Sequence, residues 1–244
     1  SSKNNSHTWF QLLMPDDEPS HDASAIIHII PESKLSLKEI NNIEASPLHK
    51  DQLTGLCVNA NTLPLLLPKA LSGNFDILLL DTTADITKPW VELNGKFDFS
   101  IIRDAIFRLR SLDKEEEISL INFGGLRSGT DVAKSLAMNC NASLFSLSFA
   151  LALGGKISEG KITEDKITGT TIYSDTIAFP NQLDVDAAIN WIKGSSLEAA
   201  IIARCAGKTS VHNLEPEDMR SISIATSEAF GLPLTSGAVK RDNF

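Results

Sequence analysis

Cysteine is scarce in this sequence, and its spacing argues against the common cysteine-based sites. Cys57, Cys140 and Cys205 are far apart and odd in number, so neither a disulfide framework nor a C-x-x-C metal or redox pair is indicated. A reducing compartment fits this pattern, and we predict a cytoplasmic protein. The five histidines form no H-x-x-x-H pattern, so no metal site is predicted.

Clustered positive charge and long apolar runs are also missing. The net charge of -9 and the pI near 5.0 argue against a nucleic-acid surface, which needs grouped lysines and arginines. The longest apolar stretch, residues 142–153, is interrupted by serines and is too short to cross a bilayer. We therefore expect neither a nucleic-acid partner nor a membrane partner.

Apolar runs alternate with helical patterns through the middle of the chain, about every 30 residues, which is typical of parallel strands with right-handed crossovers. The predicted strands are LTGLCVN, FDILLLDTT, ISLINFGG and ASLFSLS. The predicted helices between them are LPLLLPKALSG, FSIIRDAIFRLRSL and DVAKSLAMN, and the second has one apolar face made of Ile101, Ile102, Ala105, Ile106 and Leu109. The pattern predicts an α/β fold, either barrel-like or doubly wound.

The two ends of the chain carry further predicted elements. TWFQLLM is a short strand or helical turn, AIIHII a strand, and SLKEINNIE a helix. At the other end we predict the helix VDAAINWIKGSSLEAAIIARCAG, which Gly194 could interrupt, and one helix over EPEDMRSISIATSEAFG that stops at Gly231.

These elements divide the chain into four segments of one globular domain. Residues 1–52 form an N-terminal segment with one or two strands, residues 53–155 carry the βα repeats, residues 156–183 are an insertion or hairpin, and residues 184–244 are a helical C-terminal segment. The composition, 42% hydrophobic over 244 residues, provides enough apolar surface for such a domain.

The stretch NFGGLRSGTDVAKSLAM, residues 122–138, joins a predicted buried strand to a helix capped by Ser128 or Thr130. A GG-x-x-x-G pattern by itself is as often a tight turn as a phosphate-binding loop. Its place between a strand and a helix puts it at a strand's carboxyl end, where ligands bind in such folds.

Three stretches carry a family resemblance. ISLINFGGLRSGTDVAKSLAMNCNASLFSLSFALALGG and GKTSVHNLEPEDMRSISIATSEAFGLPLTSG resemble the last barrel units and C-terminal helices of the FMN-binding domain of glutamate synthases, especially the archaeal and ferredoxin-type relatives. FDILLLDTTADITKPW resembles the strand before them. The likeness covers roughly residues 53–237.

The resemblance implies a TIM-barrel-like fold of parallel βα repeats with C-terminal helices, FMN as cofactor, and reductive amination of 2-oxoglutarate in glutamate biosynthesis and nitrogen metabolism. In such barrels the FMN phosphate lies against backbone N–H groups after the last two strands. The cofactor-binding positions implied here are Gly124, Gly125, Leu126, Arg127, Ser146 and Ser148.

Two further residues are candidates for contact with a substrate. Asp81 ends the strand FDILLLD, and carboxyl ends of barrel strands face the active centre. A carboxylate there serves equally well to cap a helix or brace a loop. Lys88, in the loop that follows, is a candidate anion contact, although most loop lysines are simply solvated. No catalytic residue is assigned.

The sequence also departs from the family pattern. TTADITKPWVELNG stands where relatives carry a glycine-rich stretch ending in a Gly-Thr-Gly-Ala-like sequence, and Leu147 and Ser148 stand where they have a Gly-Thr pair. KISEGKITEDKITG lacks the family's cysteines, so no iron–sulfur cluster is expected.

These departures leave two hypotheses. One is a glutamate synthase-like FMN enzyme, and the other is a degenerate relative that serves as a binding, regulatory or assembly subunit without flavin. An eight-stranded barrel takes about 250 residues, and only some 50 precede residue 53. Unless the sequence is a shortened piece of a longer chain, we expect a barrel that is reduced, open or completed by a partner, and a homo-oligomer or a larger protein partner.

Overall fold

Six parallel strands form the centre of the fold. The computed structural model describes residues 9–36, 40, 43–83, 85–88, 91–157, 161–163, 166–168, 172–173 and 181–237. The sheet order follows the chain, and each strand pairs in parallel with the next. The strands are β1 (Phe10–Leu13), β2 (Ala25–His28), β3 (Leu53–Val58), β4 (Ile77–Asp81), β5 (Ser119–Phe123) and β6 (Ala142–Leu144).

Helices connect and cover the strands. They are α1 (Leu63–Ser72), α2 (Ser100–Ser111), α3 (Gly129–Ala137), α4 (Leu147–Ala152), α5 (Gln182–Cys205) and α6 (Ile224–Phe230). Short 3₁₀ turns cover Glu32–Lys34, Val91–Asn94, Val211–Asn213 and Pro216–Asp218. The sheet curls into an open half-barrel, so the α/β fold of TIM-barrel-like repeats with C-terminal helices is confirmed.

Both faces of the central strands β2, β3, β4 and β5 are buried, as the continuous apolar strands predict. On one face Leu56, Leu78 and Leu80 pack with α1 and α2, and the predicted face of α2 is confirmed because Ile101, Ile102, Ala105 and Leu109 are buried there while Ile106 is partly buried. On the other face Cys57, Leu79, Ile121 and Phe123 form a second cluster, together with Ile86 and Val91 from the loop after β4. This loop therefore turns into the concave side.

The structure confirms one of the two predicted C-terminal helices and corrects the other. Helix α5 continues through Gly194, because one glycine in a helix costs only about 1 kcal/mol and the rest of the helix offsets it. The helix expected to end at Gly231 is instead a 3₁₀ turn followed by α6. Ser221 forms backbone hydrogen bonds with Pro233 and Thr235, which draws the chain out of the helix before Ser223 caps α6. Gly231 ends α6 in the left-handed conformation, as predicted.

The segment 156–183 contains short antiparallel pairs. β7 (Lys156–Ile157) pairs with β10 (Ile172–Tyr173), and β8 (Lys161–Thr163) pairs with β9 (Lys166–Thr168). Most of the helix predicted over SLKEINNIE lies outside the described residues. Within the ranges that are described, the helices are too short or too polar to cross a bilayer.

Candidate functional site

Except for Lys88, the site residues predicted from the sequence lie at the carboxyl ends of β4, β5 and β6. Asp81 is the last residue of β4, Gly124 and Gly125 follow β5, and Ser146 and Ser148 lie at the start of α4, just after β6. Because the three strands are parallel neighbours, their ends lie along one edge. This is the edge at which barrel enzymes place their sites.

The turn after β5 needs its two glycines. Gly124 has φ +99° and Gly125 has φ +71°, a region that side chains disfavour. A Cβ at Gly124 would lie 2.5 Å from Thr83 Cγ2, and a Cβ at Gly125 would lie 2.7 Å from Phe99 Cζ. The side chains nearest to both positions, those of Thr83 and Phe99, belong to the segment between β4 and α2.

Glu92 is the residue that the sequence reasoning missed. It is 7% exposed and lies in the 3₁₀ turn of the loop after β4. Its Oε1 accepts a hydrogen bond from the Gly125 N–H at 2.9 Å, and its Oε2 accepts one from the Leu147 N–H at 2.8 Å. One carboxylate thus bridges the ends of β5 and β6. An acidic residue beside the apolar Val91, inside the loop that replaces the family's glycines, was the available signal.

Asp81 braces the start of the same loop. Its Oδ1 accepts hydrogen bonds from the Thr83 N–H and hydroxyl, and its Oδ2 accepts one from the Ile86 N–H at 2.9 Å. Burial raises the pKa of Asp81, and the hydrogen bonds from Thr83 and Ile86 offset only part of this effect. Burial, together with the charge of Asp81, also raises the pKa of the Cys57 thiol, which is not poised as a nucleophile.

Some of the other predicted cofactor positions form hydrogen bonds or ion pairs with residues of this chain. The Arg127 side chain is 83% exposed and pairs with Asp131, which also accepts from the Arg127 backbone N–H. The Ser148 hydroxyl donates to the Leu126 carbonyl at 2.9 Å, so these two residues link the turn after β5 to α4. Ser146 precedes α4 without a capping side-chain hydrogen bond.

Lys88 lies away from this arrangement of hydrogen bonds. Its ammonium group is 3.5 Å from Asp85 Oδ2 and is largely exposed. The substrate-binding roles of Lys88 and Asp81 stay predictions.

A second carboxylate lies at the start of α3. The Thr130 hydroxyl donates to Glu198 of α5, and this hydrogen bond, aided by the Gly129 and Thr130 amides, lowers the pKa of Glu198. Ser128 caps the helix by accepting a hydrogen bond from the Thr130 N–H. This is one of the two capping alternatives predicted from the sequence. The amides beside the GG-x-x-x-G turn are therefore also engaged by an acidic side chain.

FMN does not fit this site without a rearrangement. Two backbone amides that follow β5 and β6 already donate to Glu92, that of Gly125, which is one of the implied phosphate positions, and that of Leu147 beside Ser146 and Ser148. Phe97 and Phe99 lie against Gly125, and Val91 is buried in the concave cluster. Among the residues that the structure describes, no group of three or more histidine, cysteine or acidic side chains could hold a metal ion.

The sequence comparisons agree with the resemblance seen in the motifs. No protein-family model matches the chain. It is 31% identical over 188 residues to the glutamate synthase large subunit-like protein of Rhizobium meliloti (strain 1021), an alignment that covers 68% of this chain and 42% of the relative. The chain is a homologue of this glutamate synthase-like protein. It spans less than half of the relative's length.

Solved structures show which fold this glutamate synthase-like chain shares. A double mutant of flavocytochrome b2 with pyruvate bound superimposes with a TM-score of 0.53 at 15% identity, covering 90% of this chain and 51% of the other. The same mutant with sulfite bound gives 0.51 at 14% identity, with the same coverage. The half-barrel therefore has the fold of about half of the flavocytochrome b2 chain.

Proposed function

We propose that this glutamate synthase-like chain works without FMN, as a binding or assembly subunit. The supporting observation is the Glu92 carboxylate, which accepts hydrogen bonds from the Gly125 and Leu147 amides at the ends of β5 and β6. Buried charge-assisted hydrogen bonds of this length are the stronger kind. An incoming phosphate would have to replace both of them.

The rest of the loop supports the same proposal. Thr82 holds the loop to the end of β5, because its N–H and hydroxyl both donate to the Phe123 carbonyl, at 3.0 and 2.8 Å. Val91 anchors the loop in the concave cluster at 5% exposure. Opening the site for a flavin would therefore expose apolar surface as well as break hydrogen bonds.

The purified protein is expected to retain no flavin. It would be incubated with excess FMN, desalted, and scanned for flavin absorbance across the near-ultraviolet and visible range, with riboflavin as a parallel ligand that lacks the phosphate. The expected result is a colourless protein in both samples. Flavin bands retained in proportion to the protein would contradict the proposal.

Reductive amination of 2-oxoglutarate to glutamate with FMN is the second candidate. It is favoured by the description of the Rhizobium relative as glutamate synthase large subunit-like and by the shared flavin-type fold. Retained FMN, followed by glutamate formation from 2-oxoglutarate and ammonia with a chemical reductant, would support this candidate over the first.

Assembly through the open sheet is the expected mode of association. Within the six-stranded sheet, β1 has only β2 as a neighbour, and Trp9 and Phe10 at this edge are 42% and 41% exposed. Such edges pair readily with other chains. Size-exclusion chromatography with light scattering should give a particle of more than one chain, and Phe10→Lys should shift it towards the monomer. A wild-type protein that stays monomeric at high concentration would contradict self-association.

A further inference from the structure

The bridge made by Glu92 has the geometry of a bound anion. Two backbone N–H groups, from the ends of two adjacent parallel strands, converge on two oxygens of one charged group. The donors come from residues 33 and 55 positions away from Glu92 in sequence, so this is not a local turn. Converging backbone amides of this kind bind phosphates and carboxylates alike.

We propose that the Glu92 carboxylate is a built-in substitute for a phosphate group. Removing this carboxylate would then open a phosphate-binding site at the amides of Gly125 and Leu147. A phosphate, like a carboxylate, offers two oxygens on one central atom, and both accept from N–H groups with the strength of charge-assisted hydrogen bonds. The inference deepens the proposed function and rests on its closed loop.

The loop should stay in place when the carboxylate is removed. Asp81 and Thr82 fix its start through hydrogen bonds, and Val91, next to Glu92, is anchored separately in the concave cluster. A Glu92→Ala variant therefore leaves two oriented donors and the space of a carboxylate. Two such donors and this space are what the binding of a small anion requires, and inorganic phosphate is the ligand used to test it.

Calorimetric titration with inorganic phosphate tests the proposal. Three proteins are compared: the wild type, Glu92→Ala, and the matched control Glu116→Ala, which removes an exposed glutamate preceding β5. Circular dichroism establishes that each is folded. We expect Glu92→Ala to bind phosphate at least about tenfold more tightly than the other two. Added formate should weaken phosphate binding to this variant, because a free carboxylate competes for the same amides.

A folded Glu92→Ala variant whose phosphate affinity equals that of the wild type would overturn the proposal. If Glu92→Ala does not fold, amide hydrogen exchange measured by NMR decides instead. The Gly125 and Leu147 amides should exchange slowly in the wild type, and at least one should exchange about tenfold faster in Glu92→Gln, whose side-chain NH₂ cannot accept. Equal exchange in both proteins would overturn the proposal. Flavin retained by the wild type contradicts the proposed function, whereas the phosphate titration and the amide exchange test whether the Glu92 carboxylate substitutes for a phosphate.

Discussion

Gly129→Ala is expected to lower the free energy of unfolding by about 3 kcal/mol, as overpacking at a tight site does. A Cβ at this position would lie 1.9 Å from the Ser195 carbonyl oxygen and 2.8 Å from the Ala199 nitrogen. Both atoms belong to the backbone of α5, which cannot give way as a flexible side chain can. Helices α3 and α5 approach closely here because Ala133, Ala137, Ala199 and Ala203 form their contact.

Gly194→Ala is the matched control for this substitution. It changes a glycine of α5 whose Cβ would meet nothing within 4 Å, and alanine should stabilise the helix by about 1 kcal/mol. Urea unfolding followed by circular dichroism measures both variants against the wild type. If Gly129→Ala unfolds at the same urea concentration as the wild type, the close contact between α3 and α5 is contradicted.

Asp81→Ala is expected to cost about 2–4 kcal/mol of unfolding free energy, because it leaves the buried donors of Thr83 and the partly buried N–H of Ile86 without their acceptor. Asp85→Ala is the control. Asp85 accepts from the Thr87 N–H and hydroxyl in the same local pattern, but it lies in a more exposed part of the loop. Asp85→Ala should lower the free energy of unfolding by about 1 kcal/mol or less. Equal losses in the two variants would contradict the bracing role of Asp81.

The effect of Asp81→Ala should also depend on pH. The pKa of Asp81 in the folded protein lies above its ordinary value of 3.8 because of burial, so the folded state keeps this proton at pH values where the unfolded chain has lost it. The contribution of Asp81 to the free energy of unfolding is therefore complete below pH 3.8, and it falls as the pH rises through the raised pKa of the folded protein. Urea unfolding of the wild type and Asp81→Ala, at acidic and at neutral pH, should show the larger loss of unfolding free energy at acidic pH. A larger loss at neutral pH would contradict this sign.

Local patterns determined most of the elements correctly. The strands β3, β4 and β5 and the helix α2 follow from apolar periodicity, which depends only on neighbouring residues. The same reasoning failed between Pro216 and Ser223. There the backbone of Ser221 pairs with Pro233 and Thr235, a competing contact that helical spacing alone does not reveal.

The sequence by itself determined the parallel βα order, the relationship to glutamate synthases, and the strand ends at which a site would lie. Only the tertiary structure decided what occupies those ends. The GG-x-x-x-G pattern predicts a turn or phosphate role for Gly129, but the atoms nearest to a Cβ there belong to the backbone of α5. The sequence patterns gave no prediction for Glu92, which reaches amides 33 and 55 residues away. Strand and helix periods are set by adjacent residues, whereas the partner of a buried carboxylate is set by how distant segments fold together.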